Sequence, residues 1–293
     1  MEVEVSRLER IDSFLSKELD ISRNKISRLI DEGKVTCKGK VVKASDKLDI
    51  GSIVSINDEL DFTITSVPED IPLDIRYEDK YLMVINKESG MVVHPAPGNY
   101  TGTLVNALLF YLNKSSTKNL RPFIVHRIDK DTSGLMVVAK DDKVETLLGE
   151  MVRNKEIERK YYALVYGVIP NDTGTIDAPI GRDEKNKLKM AVTKNGKNAI
   201  THFKVIKRYN DKTLIECTLV TGRTHQIRCH MAYIGYPLYN DPIYSNRKSD
   251  EFGQFLHSHS IKFIHPITKK VINIECELPK RFKDYLDNLD NLV

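Results

Sequence analysis

The feature that most constrains this chain is a succession of short apolar and β-branched runs at residues 81–85, 135–139, 161–168, 201–206 and 214–220. Each has the length and composition of a strand. Helical periodicity returns at Leu104, Ala107, Leu108, Tyr111 and Leu112. A regular βαβ chain would carry such a helical stretch after every strand. The mixture instead predicts an α+β domain whose mixed sheet is mainly antiparallel.

The first sixty-odd residues are patterned differently. Leu8, Ile11, Leu15 and Leu19 recur at helical spacing, which predicts an amphipathic first helix. Ser22 stands where an N-cap belongs, and Ile26, Leu29 and Ile30 form the apolar side of a second helix. Gly33 is placed to end it in a left-handed conformation. A Lys38-Gly39-Lys40 turn then joins Val35 to Val41-Val42, and strand-like residues follow at 53–56. Further on, Ser66-Val67-Pro68-Glu69-Asp70-Ile71-Pro72 has two prolines, two acids and no periodicity, as a linker does. The chain is therefore expected to hold a small α/β module at 1–65, a linker at 66–75 and a larger α+β domain at 76–293.

Charge is concentrated in the small module. Between Ile21 and Leu48 stand eight basic residues (Arg23, Lys25, Arg28, Lys34, Lys38, Lys40, Lys43, Lys47) against three acidic (Asp31, Glu32, Asp46). A cluster spanning a helix, its cap and the next turn suits contact with phosphates, although a solvated helix face is an equal reading. The whole chain is only mildly basic, at a formal +4, so this local excess carries more information than the total. No apolar run approaches the ~20 residues of a membrane span, and the charged N-terminus does not resemble a signal peptide. Cys37, Cys217, Cys229 and Cys276 form no close pair, so neither a disulfide framework nor a zinc knuckle is expected. A cytoplasmic protein is expected.

Chemistry-bearing residues gather in three segments. The first, Val125-His126-Arg127-Ile128-Asp129-Lys130-Asp131-Thr132-Ser133-Gly134, lies just before the apolar run at 135–139. A polar loop on a rigid strand is a common seat of function. The flanking Arg127 and Lys130 favour an ionised Asp129. Asp131, Thr132 and Ser133 could equally be capping backbone groups. The second segment runs from Thr221 through Gly222, Arg223, Thr224, His225, Gln226, Ile227, Arg228 and Cys229 to His230. Its histidines are five apart with no carboxylate to complete a ligand set, so no metal is expected. In the third, Glu158-Arg159-Lys160-Tyr161-Tyr162-Ala163, successive tyrosines on a strand point to opposite faces, and either could show its ring to a ligand.

Two resemblances gather these motifs. On Arg10-Ile11-Asp12, Ser22-Arg23, Ile30, Gly33, Val35 and Gly39, the first module resembles the S4 RNA-binding domain. That implies a surface gripping structured RNA through its backbone, with Arg23, Lys25, Arg28, Lys34, Lys38 and Lys40 as its contacts. From about residue 77 to 279 the chain resembles the RluA/RluD family of pseudouridine synthases, the RluD-like subgroup most closely. The motifs are His126-Arg127-Ile128-Asp129 with Thr132-Ser133-Gly134, then Arg159-Lys160-Tyr161-Tyr162-Ala163 with Gly167, and the unbroken segment from Gly222 to Arg228. Asn86-Lys87, Gly90, His94-Pro95, Leu256-His257 and His265-Pro266 agree as well. Glu88 stands where the family often has proline, and Ile128 where leucine is commoner.

The resemblance implies isomerisation of uridine to pseudouridine, with Asp129, Tyr161 and Arg228 catalytic and no cofactor. Arg228 would pair with Asp129, and Tyr161 would stack on the uracil. Arg127, His126, Thr132, Arg223 and Gln226 would bind the substrate nucleotide. It further implies a monomer acting on structured ribosomal RNA, at a hairpin loop or on a ribosomal subunit precursor. Two other readings keep the same residues: a non-catalytic RNA-binding protein, and a hydrolase using Asp129 with His126 or His225.

Overall fold

The computed structural model of the chain describes residues 2–19, 23–57, 67–95, 99–114, 122–186 and 189–290. The chain divides into two compact units, Met1–Ile64 and Thr65–Val293.

In the first unit, helices α1 (Ile11–Glu18) and α2 (Arg23–Asp31) pack on a small antiparallel sheet. Its strands are β1 (Glu2–Glu4), β2 (Val35–Cys37), β3 (Lys40–Val41) and β4 (Ile53–Ile56), in the order β1-β4-β2-β3. Phe14 and Leu15 of α1 and Ile26 and Leu29 of α2 share one core with Val35 and Val54, all 1% exposed or less. Leu8, expected on the first helix, precedes it and is 62% exposed, so the apolar stripe begins at Ile11. Gly33 ends α2 at φ +72°, where its own N–H reaches Ile30 O and that of Lys34 reaches Leu29 O. Lys38 and Gly39, at φ +50° and +73°, turn β2 into β3. Ser22, and the side chains of Lys25 and Arg28, lie outside the described residues.

The second unit is built on a ten-stranded sheet. Along the chain come β5 (Ile75–Glu78), β6 (Leu82–Lys87), β7 (Phe123–Ile124), β8 (Ser133–Ala139), β9 (Glu158–Tyr166) and β10 (Thr173–Asp177). A separate hairpin, β11 (Ile180–Arg182) with β12 (Met190–Val192), precedes β13 (Ile200–Arg208), β14 (Lys212–Leu219), β15 (Leu256–Ile264) and β16 (Val271–Glu275). The order is β10-β13-β14-β9-β15-β8-β6-β5, with β16 on β15 and β7 on β8. Only β8 with β15 is parallel; every other pairing in the sheet is antiparallel.

Strand alternation sorts side chains onto two covered faces. Met136 and Val138 of β8, with Tyr161 and Ala163 of β9, enter one core, capped by α3 (Leu104–Asn113) through Leu104 and Leu108. Leu135 and Val137 enter the opposite core, under Val144 and Leu148 of α4 (Asp142–Arg153). On that side of β9, Leu164 packs with Phe282 of α6 (Lys280–Asp290). All seven residues of β8 are buried, so the strand reads as a continuous apolar run. Each large aliphatic side chain buried this way contributes about 1.5–3 kcal/mol.

The parallel pairing of β8 and β15 makes a demand on sequence. At Gly134 φ is +113°, and a Cβ there would stand 2.3 Å from Ser258 O and 2.5 Å from Ser258 N. Only glycine lets the two backbones approach so closely. This contact anchors the loop that runs into β8.

Candidate active site

That loop brings Asp129 to the mouth of a cleft on the α3 face of the sheet. The cleft is lined by residues of five segments: the loop before β8, strand β9, the end of β14 with the turn after it, the following helix α5 (Gln226–Tyr233), and Leu256 at the start of β15. Arg228 of α5 donates from Nη1 to Asp129 Oδ2 at 2.9 Å. The other carboxylate oxygen, Oδ1, stands 3.9 Å from His225 Nε2, beyond hydrogen-bond reach. Asp129 therefore offers one oxygen held by a cation and one open to the cleft.

Arg228 is held from behind. Asp241, fully buried, accepts from its Nε at 2.7 Å and its Nη2 at 2.9 Å. Asp241 Oδ1 also accepts the backbone N–H groups of Ile243 and Tyr244. Burial works against the Arg228 charge, but Asp241 and then Asp129 outweigh it and keep the guanidinium protonated. Tyr244 adds its ring face, 5.2 Å from the guanidinium carbon.

The start of α5 is shaped by Gln226 and His225. Gln226 Oε1 accepts from Arg223 N and Thr221 Oγ1, while its Nε2 donates to Ile200 O and Thr201 Oγ1. One turn on, His230 meets the same Thr201 hydroxyl and Ala178 O, which locks the helix to β13. His225, just before the helix, has φ +54°, uncommon for a residue with a side chain. Its Nδ1 lies 3.1 Å from the Tyr244 hydroxyl. Burial pulls its pKa down, against the pull of Asp129.

Tyr161 closes the back of the cleft. It is 4% exposed, and burial pushes its phenol pKa up. Tyr162, on the other face of β9, stacks on His259 with ring centroids 3.8 Å apart. Among the described residues no group of three His, Cys, Asp or Glu side chains could hold a metal.

Residues 81–233 match the family model for RNA pseudouridylate synthase, and residues 9–54 match that of the S4 domain. The chain belongs to the RNA pseudouridylate synthase family. It is an RNA uridine isomerase with an S4 domain ahead of its catalytic domain. A relative named uncharacterized RNA pseudouridine synthase YlyB, of Bacillus subtilis, is 49% identical, covering 98% of this chain and 96% of that one. The ribosomal large subunit pseudouridine synthase D of Neisseria meningitidis serogroup B is 42% identical, over 92% of this chain and 76% of that one. Among solved structures, Human RNA Pseudouridylate Synthase Domain Containing 4 superposes with a TM-score of 0.60 at 25% identity, covering 74% of this chain and 93% of that one.

The pairing of Arg228 with Asp129 that the resemblance implies is present, across ninety-nine positions of sequence, while the flanking Arg127 and Lys130 are exposed. Several other motif residues stand differently from the sequence expectation. Gln226 lines the cleft, but its amide is spent on the protein, so it shapes the turn and has no free group for a nucleotide. Thr132 is 2% exposed with its hydroxyl accepting from Gln254 Nε2, which fastens the loop. His126 turns away from the Asp129 cleft: its Nε2 accepts the Val137 N–H at 3.1 Å, and it lines a neighbouring groove. Arg127 and Arg223 do reach the cleft. In the S4 unit, Arg23 donates to the buried Asp12 at 2.8 Å and Lys34 pairs with Glu32, while Lys38 and Lys40 are exposed. Sequence reasoning missed Asp241 altogether, because nothing in Tyr239-Asn240-Asp241-Pro242 marks it out.

Proposed function

We propose that this enzyme converts uridine to pseudouridine in large-subunit ribosomal RNA, with Asp129 as the carboxylate acting at the reacting nucleoside and no cofactor. The observation that carries this reading is the divided state of Asp129: Oδ2 fixed by Arg228 and Oδ1 open to the cleft before Tyr161. The reaction breaks the bond from ribose C1′ to uracil N1, turns the ring and rejoins it through C5. Every atom and electron is conserved, so the chemistry asks for neither a redox group nor a second substrate.

Asp129 is suited to attack or to deprotonate because Arg228 holds Oδ2 and leaves Oδ1 aimed into the cleft. Tyr161 supplies an aromatic wall for the uracil, with its hydroxyl available near C5. Arg127, exposed and without a hydrogen bond or ion pair among the described residues, would help draw the nucleotide out of its stack. Extrusion costs a few kcal/mol, less at a loop, so a hairpin-loop uridine is the favoured target. The ribosomal assignment rests on the large-subunit synthases among the relatives. The same reading has a monomer working in the cytoplasm on a ribosomal subunit precursor, with the S4 unit gripping phosphates of the same RNA.

The test is a conversion assay on transcribed 23S ribosomal RNA with the wild type and Asp129→Asn, which keeps size and removes charge. Isomerisation without strand cleavage by the wild type alone is the expected result. Turnover by the variant within tenfold of wild type, ~1.4 kcal/mol in barrier, would remove Asp129 from the chemistry.

A further inference from the structure

Beside the Asp129 cleft runs a second depression, a groove whose walls share Arg127, Arg159, Gly222 and Arg223 with it. His126, Arg153, Lys155 and Thr221 complete its charged and polar lining, and among the described residues no carboxylate lines it. On α4, Glu150 Oε1 lies 3.8 Å from Arg153 Nη2, too far for a hydrogen bond.

Arg159 is the telling residue. It is 5% exposed, yet makes no hydrogen bond or ion pair among the described residues, and its Nε–H is a buried donor without an acceptor. Burying a guanidinium without a counter-charge is costly, so such a group is normally paired. Arg228, equally buried in the same cleft, has two carboxylates. Arg159 has none. His126 adds a second unmet donor: Val137 N–H occupies its Nε2, so the ring proton sits on Nδ1, which is buried and has no acceptor. An unmet buried donor costs about 1–3 kcal/mol. Arginines lining a groove beside two unmet donors call for an anion rich in acceptor oxygens.

We propose that Arg159 receives a backbone phosphate adjoining the target uridine, and that Arg153 and Lys155 take the next phosphates as the RNA strand leaves the cleft along this groove. The inference rests on the reading above, that the Asp129 cleft takes a uridine of an RNA chain. Arg159 lines both depressions, so a phosphate there would be contiguous with a nucleoside beside Asp129 and with a strand in the groove. Phosphate oxygens suit a guanidinium and a neutral imidazole N–H alike.

The test uses the full chain and transcribed 23S ribosomal RNA, with affinity measured across a salt series and isomerisation followed in parallel. Arg153→Gln with Lys155→Gln should flatten the dependence of log affinity on log salt by about 1.5 units, as two lost phosphate contacts would. KM should rise in the same variant. Lys262→Gln, at an exposed position of the mostly buried β15, should leave the slope unchanged. Arg159→Gln should raise KM more than Arg159→Lys, since lysine restores charge without the fork. Slopes and KM values equal to wild type in the Arg153/Lys155 pair would overturn the proposal, even if isomerisation proceeds normally. Failure of the wild type to isomerise any uridine would instead strike the reading it rests on, while the salt slopes would still report whether RNA phosphates lie in the groove.

Discussion

Asp241 grips the guanidinium of Arg228 along its far edge, leaving Nη1 alone to reach Asp129. The pair is buried and geometrically complete, and the arginine is thereby oriented before any substrate arrives. Pre-organisation of this kind keeps a reacting group in place without cost at the moment of reaction. Asp241→Asn keeps the shape but removes one charge from behind Arg228, which can then swing or lean further onto Asp129. Turnover should fall at least tenfold while RNA affinity stays within about twofold. Stability should also drop by about 3 kcal/mol, the scale for breaking a buried pair. Steady-state kinetics with a thermal melt separate the effects; unchanged turnover in a folded variant would deny Asp241 its positioning part.

Tyr161 carries a ring that is both core and cleft wall. Tyr161→Phe keeps the ring, its packing against the apolar side of β8 and the stacking surface; Tyr161→Ala removes all three. The alanine variant should lose about 3–5 kcal/mol of stability and nearly all turnover. The phenylalanine variant should retain measurable turnover. If both are equally inactive while the phenylalanine protein melts normally, the hydroxyl takes part in the chemistry and stacking alone is insufficient.

What the sequence made legible follows from how local each signal is. Strands β6, β8, β9, β13 and β14 lie within a few residues of their β-branched runs: β6 and β8, buried on both faces, leave a continuous apolar trace, and β13 leaves an alternating one. Helix α3 follows from the spacing of Leu104, Leu108 and Leu112, with Thr103 and Asn106 forming its capping box. Asp129, Tyr161 and Arg228 were found through motifs. The pairing of Arg228 with Asp129 came with the family resemblance; local sequence alone offered Arg127 and Lys130, which are exposed. Asp241 left no trace because a lone aspartate before proline reads as a turn. Arg159 was equally silent: a basic residue at a strand start is ordinarily solvated, and only its burial shows otherwise.

Gly134 is expected to tolerate no side chain. Alanine would have to hold φ near +113° and push its Cβ into the backbone of Ser258, from which neither β8 nor β15 can retreat without breaking the parallel pairing. Gly134→Ala should therefore destabilise the catalytic unit by several kcal/mol and recover poorly as soluble protein. Gly90→Ala is the contrast: φ is +87° but nothing lies within 4 Å of the added carbon, so only the backbone term applies and the loss should stay nearer 1–2 kcal/mol. Thermal melts of the two variants check this, and equal melting points would show that the Ser258 contact is not the cause.

The S4 unit should weaken on acidification through one carboxylate. Asp12 is 3% exposed, and the guanidinium of Arg10, then that of Arg23, draws its pKa down to about 2 against the opposing effect of burial. An unfolded aspartate titrates near 3.9, so between these values the unfolded chain binds the extra proton. The stabilisation is thus fully present above about pH 5 and is lost as pH falls toward 2. Its size is about 1–2 kcal/mol, taken below the full value of the shift because both arginines are about half exposed and water screens them. Asp12→Asn removes the charge at every pH. Hydrogen exchange of the α1 amides in the full chain should therefore show roughly tenfold lower protection in the variant at pH 7, with the gap narrowing between pH 4 and 2. A gap that stays constant over that range would mean that shape, and not the Arg10–Asp12–Arg23 charge cluster, holds α1 against α2.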